Sequence, residues 1–404
     1  MKFNPASGTA TIIEKLGEGS FADVYKVQFS ASNLCFAVKQ LKESYSSLEE
    51  IRNLEEIRFL EMLQGHPNIV DLIDVKYNSR TGEVSIILEL LDCNLLEYLN
   101  ENQNKIDEKE ALIFAYQMLE GLSFIHSKSL FHRDIKPENC MLQKDTLCLK
   151  LVDFGSTRDF FSEKPYTEYV STRWYRAPEC LLTGGFYGPE VDIWAVGCML
   201  YELVTGTPLF PGSQEIDQIK KIHKIIGTPS EDLIKQFRKN PNENISYVFK
   251  PCKPVSFSTL LPNSSPAFLS LLAKLLVYNP ENRISAKEAL LHPVFDFIRE
   301  AKSYYVAENT KIPFWKFALD PKPPKAQKIQ FPFSLGPGRL ILVPPTGRTV
   351  KSMAEKLAPT RKLAAIRIKD YQKKNNTNKS YKFSHNNYPA LLFVPKLNQR
   401  NHFY

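Results

Sequence analysis

Phe131-His132-Arg133-Asp134-Ile135-Lys136-Pro137-Glu138-Asn139 is a short loop that holds three chemically active side chains. Asp134 can accept or orient the proton of a hydroxyl group, and Lys136 can neutralise a phosphoryl group during transfer. Asn139 offers an amide oxygen, and oxygen atoms are the ligands that hard divalent cations prefer. Pro137 stiffens the loop, because its ring fixes φ. Any three of these residues would suit an ordinary charged surface loop, but the whole string matches the pattern H-R-D-x-x-x-x-N and indicates phosphoryl transfer.

Two further motifs lie on either side of this loop. Asp153-Phe154-Gly155 follows a predicted strand over 147–152 and matches the D-F-G motif, whose aspartate holds the Mg²⁺ that bridges the phosphates. Ala37-Val38-Lys39 matches the V-A-I-K strand, whose lysine contacts the α- and β-phosphates and pairs with a helix glutamate. The apolar spacing predicts one helix over 47–63, which offers Glu55 and Glu56 for that pair.

A glycine-rich turn, Gly17-Glu18-Gly19, lies between predicted strands over 11–16 and 24–29. A dinucleotide-binding turn would have to lead into a helix, whereas residues 24–29 have the pattern of a strand. A strand–loop–strand hairpin is instead the pattern of a flap over the phosphates of ATP. The alternative interpretation is an ordinary hairpin turn. The third glycine of the flap pattern is Ala22 here.

Taken together, these motifs resemble those of the eukaryotic protein kinases. The string Thr172-Arg173-Trp174-Tyr175-Arg176-Ala177-Pro178-Glu179 resembles the group that holds the cyclin-dependent and mitogen-activated kinases. Residues 165–174 are most similar to its MAK/ICK/MOK branch, and the resemblance covers about residues 8–298. Lys136 and Thr172 occupy positions where the serine/threonine enzymes of the family carry these residue types. The resemblance therefore implies serine or threonine hydroxyls as acceptors.

The resemblance also implies a role for each matching residue. The implied catalytic residues are Asp134, Lys136, Lys39 and Glu56, and the implied metal ligands are Asn139 and Asp153. The implied ATP-binding residues are Leu16, Gly17, Glu18, Gly19, Val24, Ala37, Lys39, Leu88, Glu89, Leu91 and Met141. The expected cofactors are ATP and Mg²⁺. Two structural supports are implied as well: Glu179 pairs with Arg283, and Asp192 braces the catalytic loop.

The resemblance further implies regulation by phosphorylation of Thr167 and Tyr169 in a Thr-Glu-Tyr segment. The implied phosphate-binding residues are Arg133, Arg158, Arg173 and Arg176. An unmodified, solvated loop is the alternative. Relatives usually carry an arginine just before the helix glutamate, whereas this chain has Glu55, so we expect phosphorylation of Thr167 to couple weakly to that helix.

The expected architecture is α+β, a two-lobed protein kinase fold with a basic C-terminal tail. Residues 1–92 form the expected small, mostly β N-lobe and residues 93–298 the large, mostly α C-lobe. Within the C-lobe, helical patterns recur at 108–127, 190–205, 214–226, 265–277 and 285–298, and an irregular insert spans 228–264. Residues 299–404 are rich in Pro, Lys and Asn and form the expected tail, part of it disordered.

Charge is distributed unevenly along the 404 residues. Residues 301–404 hold 20 Lys and Arg against 4 Asp and Glu, a net charge of +16, whereas the first 300 residues hold 32 against 40, a net charge of −8. The tail could bind nucleic acid, an acidic partner, a nuclear import receptor or the acidic domain itself, or it could be a solvated linker. Its basic stretches are not interleaved with aromatic residues, so they do not have the pattern of a nucleic-acid module.

The seven scattered cysteines suit free thiols in a reducing compartment, and Cys93 is expected to be an ordinary half-exposed thiol. No signal peptide or membrane-spanning stretch is indicated. We expect a monomer that acts on Ser/Thr followed by Pro in protein substrates, under an upstream activating kinase. The expected location is cytoplasmic, with cilium and nucleus implied by resemblance alone. The alternative function is a pseudokinase-like scaffold that acts through its tail; a complete catalytic set argues against it.

Overall fold

The computed structural model describes residues 8–166, 172–237, 249–308 and 312–320. The expected phosphorylation sites Thr167 and Tyr169 and nearly all of the expected tail lie outside these residues. Within the described part of the chain, no helix is both long enough and apolar enough to span a bilayer.

The first part of the described chain is an antiparallel five-stranded sheet with two helices. Its elements are β1 (Ala10–Glu18), β2 (Ala22–Phe29), β3 (Leu34–Leu41), α1 (Leu48–Arg52), α2 (Glu55–Leu63), β4 (Leu72–Asn78) and β5 (Glu83–Glu89). The strand order is β1-β2-β3-β5-β4. Apolar side chains on one face of this sheet form a small cluster of their own, whereas α2 belongs to the large core.

The helix expected over 47–63 is two helices in the structure. Ser47 caps the start of α1, which ends at Arg52. The next residue, Asn53, is the C-cap, and its backbone N–H donates to carbonyl oxygens of the preceding turn. Leu54 then adopts an extended conformation, with φ −60° and ψ 121°, and α2 starts at Glu55. The apolar spacing continues across the break, so periodicity alone could not locate it.

The second part is mostly helical. Its elements are β6 (Cys93–Asn94), α3 (Leu95–Glu101), α4 (Glu108–Ser127), β7 (Leu130–Phe131), β8 (Cys140–Gln143), β9 (Cys148–Leu151), β10 (Arg158–Asp159), α5 (Pro178–Leu182), α6 (Glu190–Thr205), α7 (Glu215–Ile226), α8 (Glu231–Phe237), α9 (Phe257–Leu260), α10 (Pro266–Leu275), α11 (Ala286–Ala289), α12 (Asp296–Glu308) and α13 (Phe314–Leu319). β6, β8 and β9 form one small sheet, and β7 pairs with β10. This small β-rich part followed by a large helical part confirms the predicted two-lobed α+β fold.

The central helices of the C-lobe are buried because their sequences are apolar around most of their circumference. In α4 the buried residues include Ala111, Leu112, Phe114 and Leu119, and Asp107 caps its first turn. In α6 the fully buried Trp194 stacks on Phe210 at 5.6 Å. These two helices form the base under the catalytic loop.

The end of the described chain differs from the expected organisation. The helix expected over 285–298 is interrupted after Ala289, where α11 ends. A 3₁₀ turn, Pro293–Phe295, follows, and α12 begins at Asp296. The expected boundary after residue 298 therefore falls within α12. Phe317 and Ala318 of α13 are buried, so residues assigned to the tail pack on the C-lobe. Two short helices, α8 and α9, lie within the insert that was expected to be irregular.

Candidate active site

Three charged side chains meet between the two lobes. Lys39 of β3 places its Nζ 2.6 Å from Oε1 of Glu56 at the start of α2. The same Nζ lies 3.0 Å from Oδ1 of Asp153, which follows β9. Of the two glutamates offered by the sequence, Glu56 is therefore the one that pairs with Lys39. The cluster joins the N-lobe sheet, the helix and the D-F-G segment at one point.

Burial and charge act in opposite directions on this cluster. Burial lowers the pKa of Lys39, but the carboxylates of Glu56 and Asp153 outweigh burial and raise its pKa above the usual value. Burial also opposes ionisation of Asp153, yet the Lys39 ammonium keeps the net pKa of this carboxyl below its ordinary value. The lysine is thus a cation and Asp153 an anion at neutral pH, as a site for phosphates and a metal requires.

The catalytic loop brings its three active side chains together. Lys136 Nζ donates to Oδ2 of Asp134 at 2.7 Å, and Asn139 Nδ2 donates to the same oxygen at 2.8 Å. Asn139 Nδ2 also donates to the carbonyl of Asp134 at 2.8 Å. Because Nδ2 makes both bonds, the amide oxygen of Asn139 is the atom that can coordinate a cation.

Asp192 of α6 braces this loop from below, as the resemblance implied. Its buried carboxylate accepts the backbone N–H groups of His132 and Arg133, both at 2.8 Å. His126 Nε2 lies 2.9 Å from the same carboxylate. One buried side chain therefore fixes the backbone immediately before Asp134.

Two residues at the site adopt left-handed backbone conformations that non-glycine residues rarely occupy. Arg133 has a φ of 73° and Asp153 a φ of 63°. Such conformations cost on the order of 1–3 kcal/mol and persist only where neighbouring contacts enforce them. Arg133 directly precedes Asp134, and Asp153 is itself an expected metal ligand. The residues next to them, His132 and Phe154, are in contact, with 5.1 Å between the centres of their rings.

Four of the residues expected to hold ATP share one face of the N-lobe sheet. Val24 pairs with Lys39 across β2 and β3, and Ala37 pairs with Leu88 across β3 and β5. Directly opposed residues point to the same face, so these four side chains lie on the face that carries the charged cluster. Gly17 is opposite Val24 on β1.

The remaining expected ATP-binding residues occupy the rim and floor of this region. Leu16 and Glu18 lie in β1, and Gly19 donates its backbone N–H to the carbonyl of Ala22 at 2.9 Å. Leu91 is buried just after β5, and Met141 lies in β8 of the C-lobe sheet.

The side chain of Glu89 is held by two hydrogen bonds. Its Oε1 accepts a hydrogen bond from Lys150 at 2.5 Å and from the backbone N–H of Asp71 at 2.7 Å. This contact links the connection between the lobes to β9, the strand that leads to Asp153.

Cys93 differs from the expectation of a half-exposed thiol. Its side chain is buried in β6, and burial raises its pKa to about 11. The physical reason is the pairing of β6 with β8, which turns the residue into the C-lobe core.

The stretch from Asp153 to Glu179, which the resemblance implies is the activation segment, is anchored at its end to the C-lobe helices. Glu179 forms a buried, two-point ion pair with Arg283, with distances of 2.6 and 3.1 Å, as the resemblance implied. The hydroxyl of Tyr175 donates to Glu202 of α6 at 2.7 Å, and Trp174 Nε1 donates to the carbonyl of Gly212 at 3.2 Å.

The start of the segment is anchored just before Thr167. Tyr166 packs against Phe131 and Tyr187, and its backbone N–H donates to the carbonyl of Gly185 at 3.0 Å. Gly185 has a φ of 97°, and a Cβ atom there would lie 2.5 Å from the carbonyl oxygen of Tyr166. Only glycine fits this approach.

The four arginines expected to bind phosphate have different surroundings. Arg158 pairs with Glu55, at 3.0 Å between Nη1 and Oε2. Arg133 donates to the hydroxyl of Tyr187 at 2.7 Å and lies over the Tyr166 ring. The Nε of Arg173 is buried and has no hydrogen-bond partner among the described residues. Arg176 is half-buried.

The donor set fits a hard divalent cation that is shared with phosphates. The described residues contain no group of three His, Cys, Asp or Glu side chains that could hold a metal alone. Asp153 supplies an ionised carboxylate and Asn139 a neutral oxygen, so ATP oxygens and water would have to complete the coordination.

Sequence reasoning missed several supporting residues. Lys42 donates to the carbonyl of Gly19 at 2.7 Å and supports the glycine-rich turn. His126 supports Asp192, Tyr187 holds Arg133, and Lys150 holds Glu89. These partners lie far apart along the chain, and no local pattern marks them.

Comparison with known proteins identifies the fold and activity. The model for the protein kinase domain matches residues 10–295. The human MAPK/MAK/MRK overlapping kinase is 42% identical over 311 residues, which are 77% of this chain and 73% of the relative. The mouse serine/threonine-protein kinase MAK is 35% identical over 79% of this chain and 51% of its own length, and mouse serine/threonine-protein kinase ICK is 40% identical over 70% and 44%. The chain belongs to the protein kinase family and is an ATP-dependent serine/threonine kinase similar to MAK, ICK and their overlapping relative.

Proposed function

We propose that this kinase transfers the γ-phosphoryl group of Mg²⁺-ATP to Ser/Thr residues followed by Pro, and that phosphorylation of Thr167 and Tyr169 regulates it. The observation that carries the catalytic part is the Lys39 cluster, in which Glu56 and Asp153 both contact one ammonium group. This arrangement joins the two lobes and supports a phosphate-binding role for Lys39.

In this proposal each residue acts through charge or position. Asp134 orients the acceptor hydroxyl, and Lys136, which is 2.7 Å from it, neutralises the phosphoryl group as it moves. Lys39 holds the α- and β-phosphates while Glu56 fixes the lysine. Asn139 and Asp153 hold Mg²⁺, which supplies charge neutralisation at the phosphates. Positioning and preorganised charge are the main contributions in such a reaction.

The regulatory part rests on Arg133, Arg158, Arg173 and Arg176, the arginines expected to bind phosphate. Phosphate opposite arginine forms charge-assisted hydrogen bonds that order a loop. Among the residues that the structure describes, the buried Nε of Arg173 has no hydrogen-bond partner, which supports an anionic ligand near this side chain. Arg133, Arg158 and Arg176 are the other proposed partners. The proposed upstream activating kinase, monomeric state and location in cytoplasm, cilium or nucleus stay predictions from the resemblance.

The pseudokinase-like scaffold is the second candidate. A scaffold needs no ionised Asp153 and no lysine held by two carboxylates, yet both are present. The catalytic proposal therefore accounts for more of the structure.

Substitution of Asp153 by Asn tests the catalytic proposal. We expect Asp153→Asn to lower kcat by at least about 100-fold, because one preorganised charged group typically contributes this much. Mg²⁺-ATP should stabilise the wild type in thermal melts and the variant much less. Asp145→Asn, at an exposed position, is the matched control. Wild-type activity in Asp153→Asn would reject the assignment and favour the scaffold.

A degenerate peptide library tests the substrate preference. We expect enrichment of proline directly after the phosphoacceptor, because the segment 172–179 resembles that of proline-directed kinases. No enrichment, or a strong preference for acidic residues, would reject this part and leave the catalytic assignment intact.

A further inference from the structure

The pair between Glu55 and Arg158 connects two elements that control the active site. Glu55 is the first residue of α2 and directly precedes Glu56, which holds Lys39. Arg158 lies in β10, opposite Phe131 at the start of the catalytic loop. One ion pair of 3.0 Å therefore joins the helix that positions Lys39 to the strand beside the catalytic loop.

Arg158 is held in a fixed orientation for this contact. Its Nη1 donates to the carbonyl of Thr157 at 2.7 Å as well as lying beside Glu55 Oε2. Thr157 directly follows the short 3₁₀ helix Phe154–Ser156, which starts after Asp153. The guanidinium group is thus placed by the same segment that carries the metal ligand.

We propose that Glu55 is a positioning residue that clamps α2 to the activation segment through Arg158, so that the Lys39–Glu56 pair forms without phosphate on Thr167. The carboxylate provides, from the helix, the negative charge that a phosphorylated loop would otherwise bring to Arg158. A phosphate on Thr167 must compete with Glu55 for this arginine, so phosphorylation adds little to the position of α2.

The expected loss of activity on breaking the Glu55–Arg158 pair follows from the solvent exposure of the two side chains. The side chains of Arg158 and Glu55 are 27% and 49% exposed, and ion pairs this exposed contribute modestly. Loss of the clamp should lower the unphosphorylated activity by about two- to fivefold, not abolish it. The effect should shrink as salt increases, because exposed charges are screened.

Full-length protein carrying Thr167→Ala tests the clamp in the unphosphorylated state. In this background Glu55→Gln should lower kcat/KM about two- to fivefold and accelerate hydrogen exchange of the α2 amides. Glu61→Gln is the matched control, because it removes the same charge from an exposed position on the same helix. It should change neither quantity. Equal activity and equal exchange in the two variants would overturn the proposal.

Exchange of the two charges tests direct pairing. Glu55→Arg and Arg158→Glu should each lower unphosphorylated activity, and the double variant should recover a substantial part of the loss. Failure of the double variant to recover activity, while its melting temperature equals that of the single variants, would show that the two side chains do not act together.

The response to phosphate rests on the proposed regulation and is measured separately, with Thr167 present. Phosphorylation of Thr167 should raise kcat/KM more in Glu55→Gln and Glu55→Arg than in wild type. If phosphorylation has no effect on any variant but Glu55→Gln is still impaired, the proposed regulation fails and the clamp stands. If all variants gain equally from phosphorylation, Glu55 does not compete for Arg158 and the clamp is rejected.

Discussion

Arg133 and Asp192 show how single residues set the geometry of the catalytic loop. Arg133 is held in a left-handed conformation, and its backbone N–H is bonded to the buried carboxylate of Asp192. The same carboxylate accepts the N–H of His132 through its other oxygen. The anion therefore offsets the cost of an unfavourable backbone conformation next to Asp134.

We predict that Asp192→Asn lowers both activity and stability. An amide has one accepting oxygen, so its NH₂ group would face one of the two backbone N–H donors. A buried charged hydrogen bond contributes about 1.5–3 kcal/mol, and a melting-temperature decrease of several degrees should accompany a loss of kcat. Thermal melts and kinase assays measure these effects. Asp232→Asn, whose side chain is 89% exposed, is the control; if it matches Asp192→Asn in both assays, the brace is unimportant.

At the scale of elements, α7 carries a buried imidazole, that of His223, which packs into the C-lobe. His223 lies 2.9 Å from the hydroxyl of Tyr278, and its ring packs edge-on against Phe249 at 4.6 Å. Burial lowers the pKa of His223 to about 4. The folded protein thus holds this side chain neutral at pH values where an unfolded chain would protonate it.

We predict that His223 makes stability fall between about pH 6.5 and pH 4. In this window the unfolded chain binds more protons than the folded chain, so the free energy of unfolding decreases as pH decreases. The lowered pKa of His223 corresponds to a decrease of up to about 3 kcal/mol in the free energy of unfolding across this range. Melting temperatures measured across this range should fall less steeply in His223→Gln than in wild type. Tyr278→Phe should keep the steep dependence, because burial causes the shift; a flat profile in Tyr278→Phe would contradict this.

The sequence predicted some elements closely and misplaced others for physical reasons. The apolar residues of α4 and α6 continue along the whole of each helix. Both helices have the predicted bounds, Glu108–Ser127 and Glu190–Thr205. The α1–α2 break and the start of α12 were missed, because the apolar spacing continues through each interruption. Lys39–Glu56 and Glu179–Arg283 were anticipated from resemblance. Glu55–Arg158 was not, because its partners are brought together only by the fold.

At the scale of the whole molecule, the described C-lobe continues beyond the expected boundary. The ring of Trp315 lies 6.1 Å from that of Tyr116 in α4, and Phe317 is 5% exposed. The ammonium group of Lys109 donates to the carbonyl of Leu319. Residues up to Leu319 therefore contribute apolar burial to the same core as α4.

We predict that a chain ending at residue 298 is less stable than one ending at residue 320. The shorter chain cuts α12 in its first turn and removes Phe317, whose burial alone is worth about 2–3 kcal/mol. Its melting temperature should be lower by at least about 5 °C. A chain of residues 1–320 should melt within about 2 °C of the full-length protein. Equal melting of the two truncated chains would show that α13 adds nothing to stability.

The burial of Cys93 has a consequence for inhibitor chemistry. Acrylamides and related electrophiles react with the thiolate form of cysteine, and a thiol with a pKa of about 11 is ionised in only about one molecule in ten thousand at pH 7. Its side chain is 5% exposed, so a warhead carried by an adenine-site ligand would also meet the wall of β6. Ligands of the adenine site should therefore not depend on reaction with Cys93 and should draw their affinity from the face that carries Val24, Ala37 and Leu88.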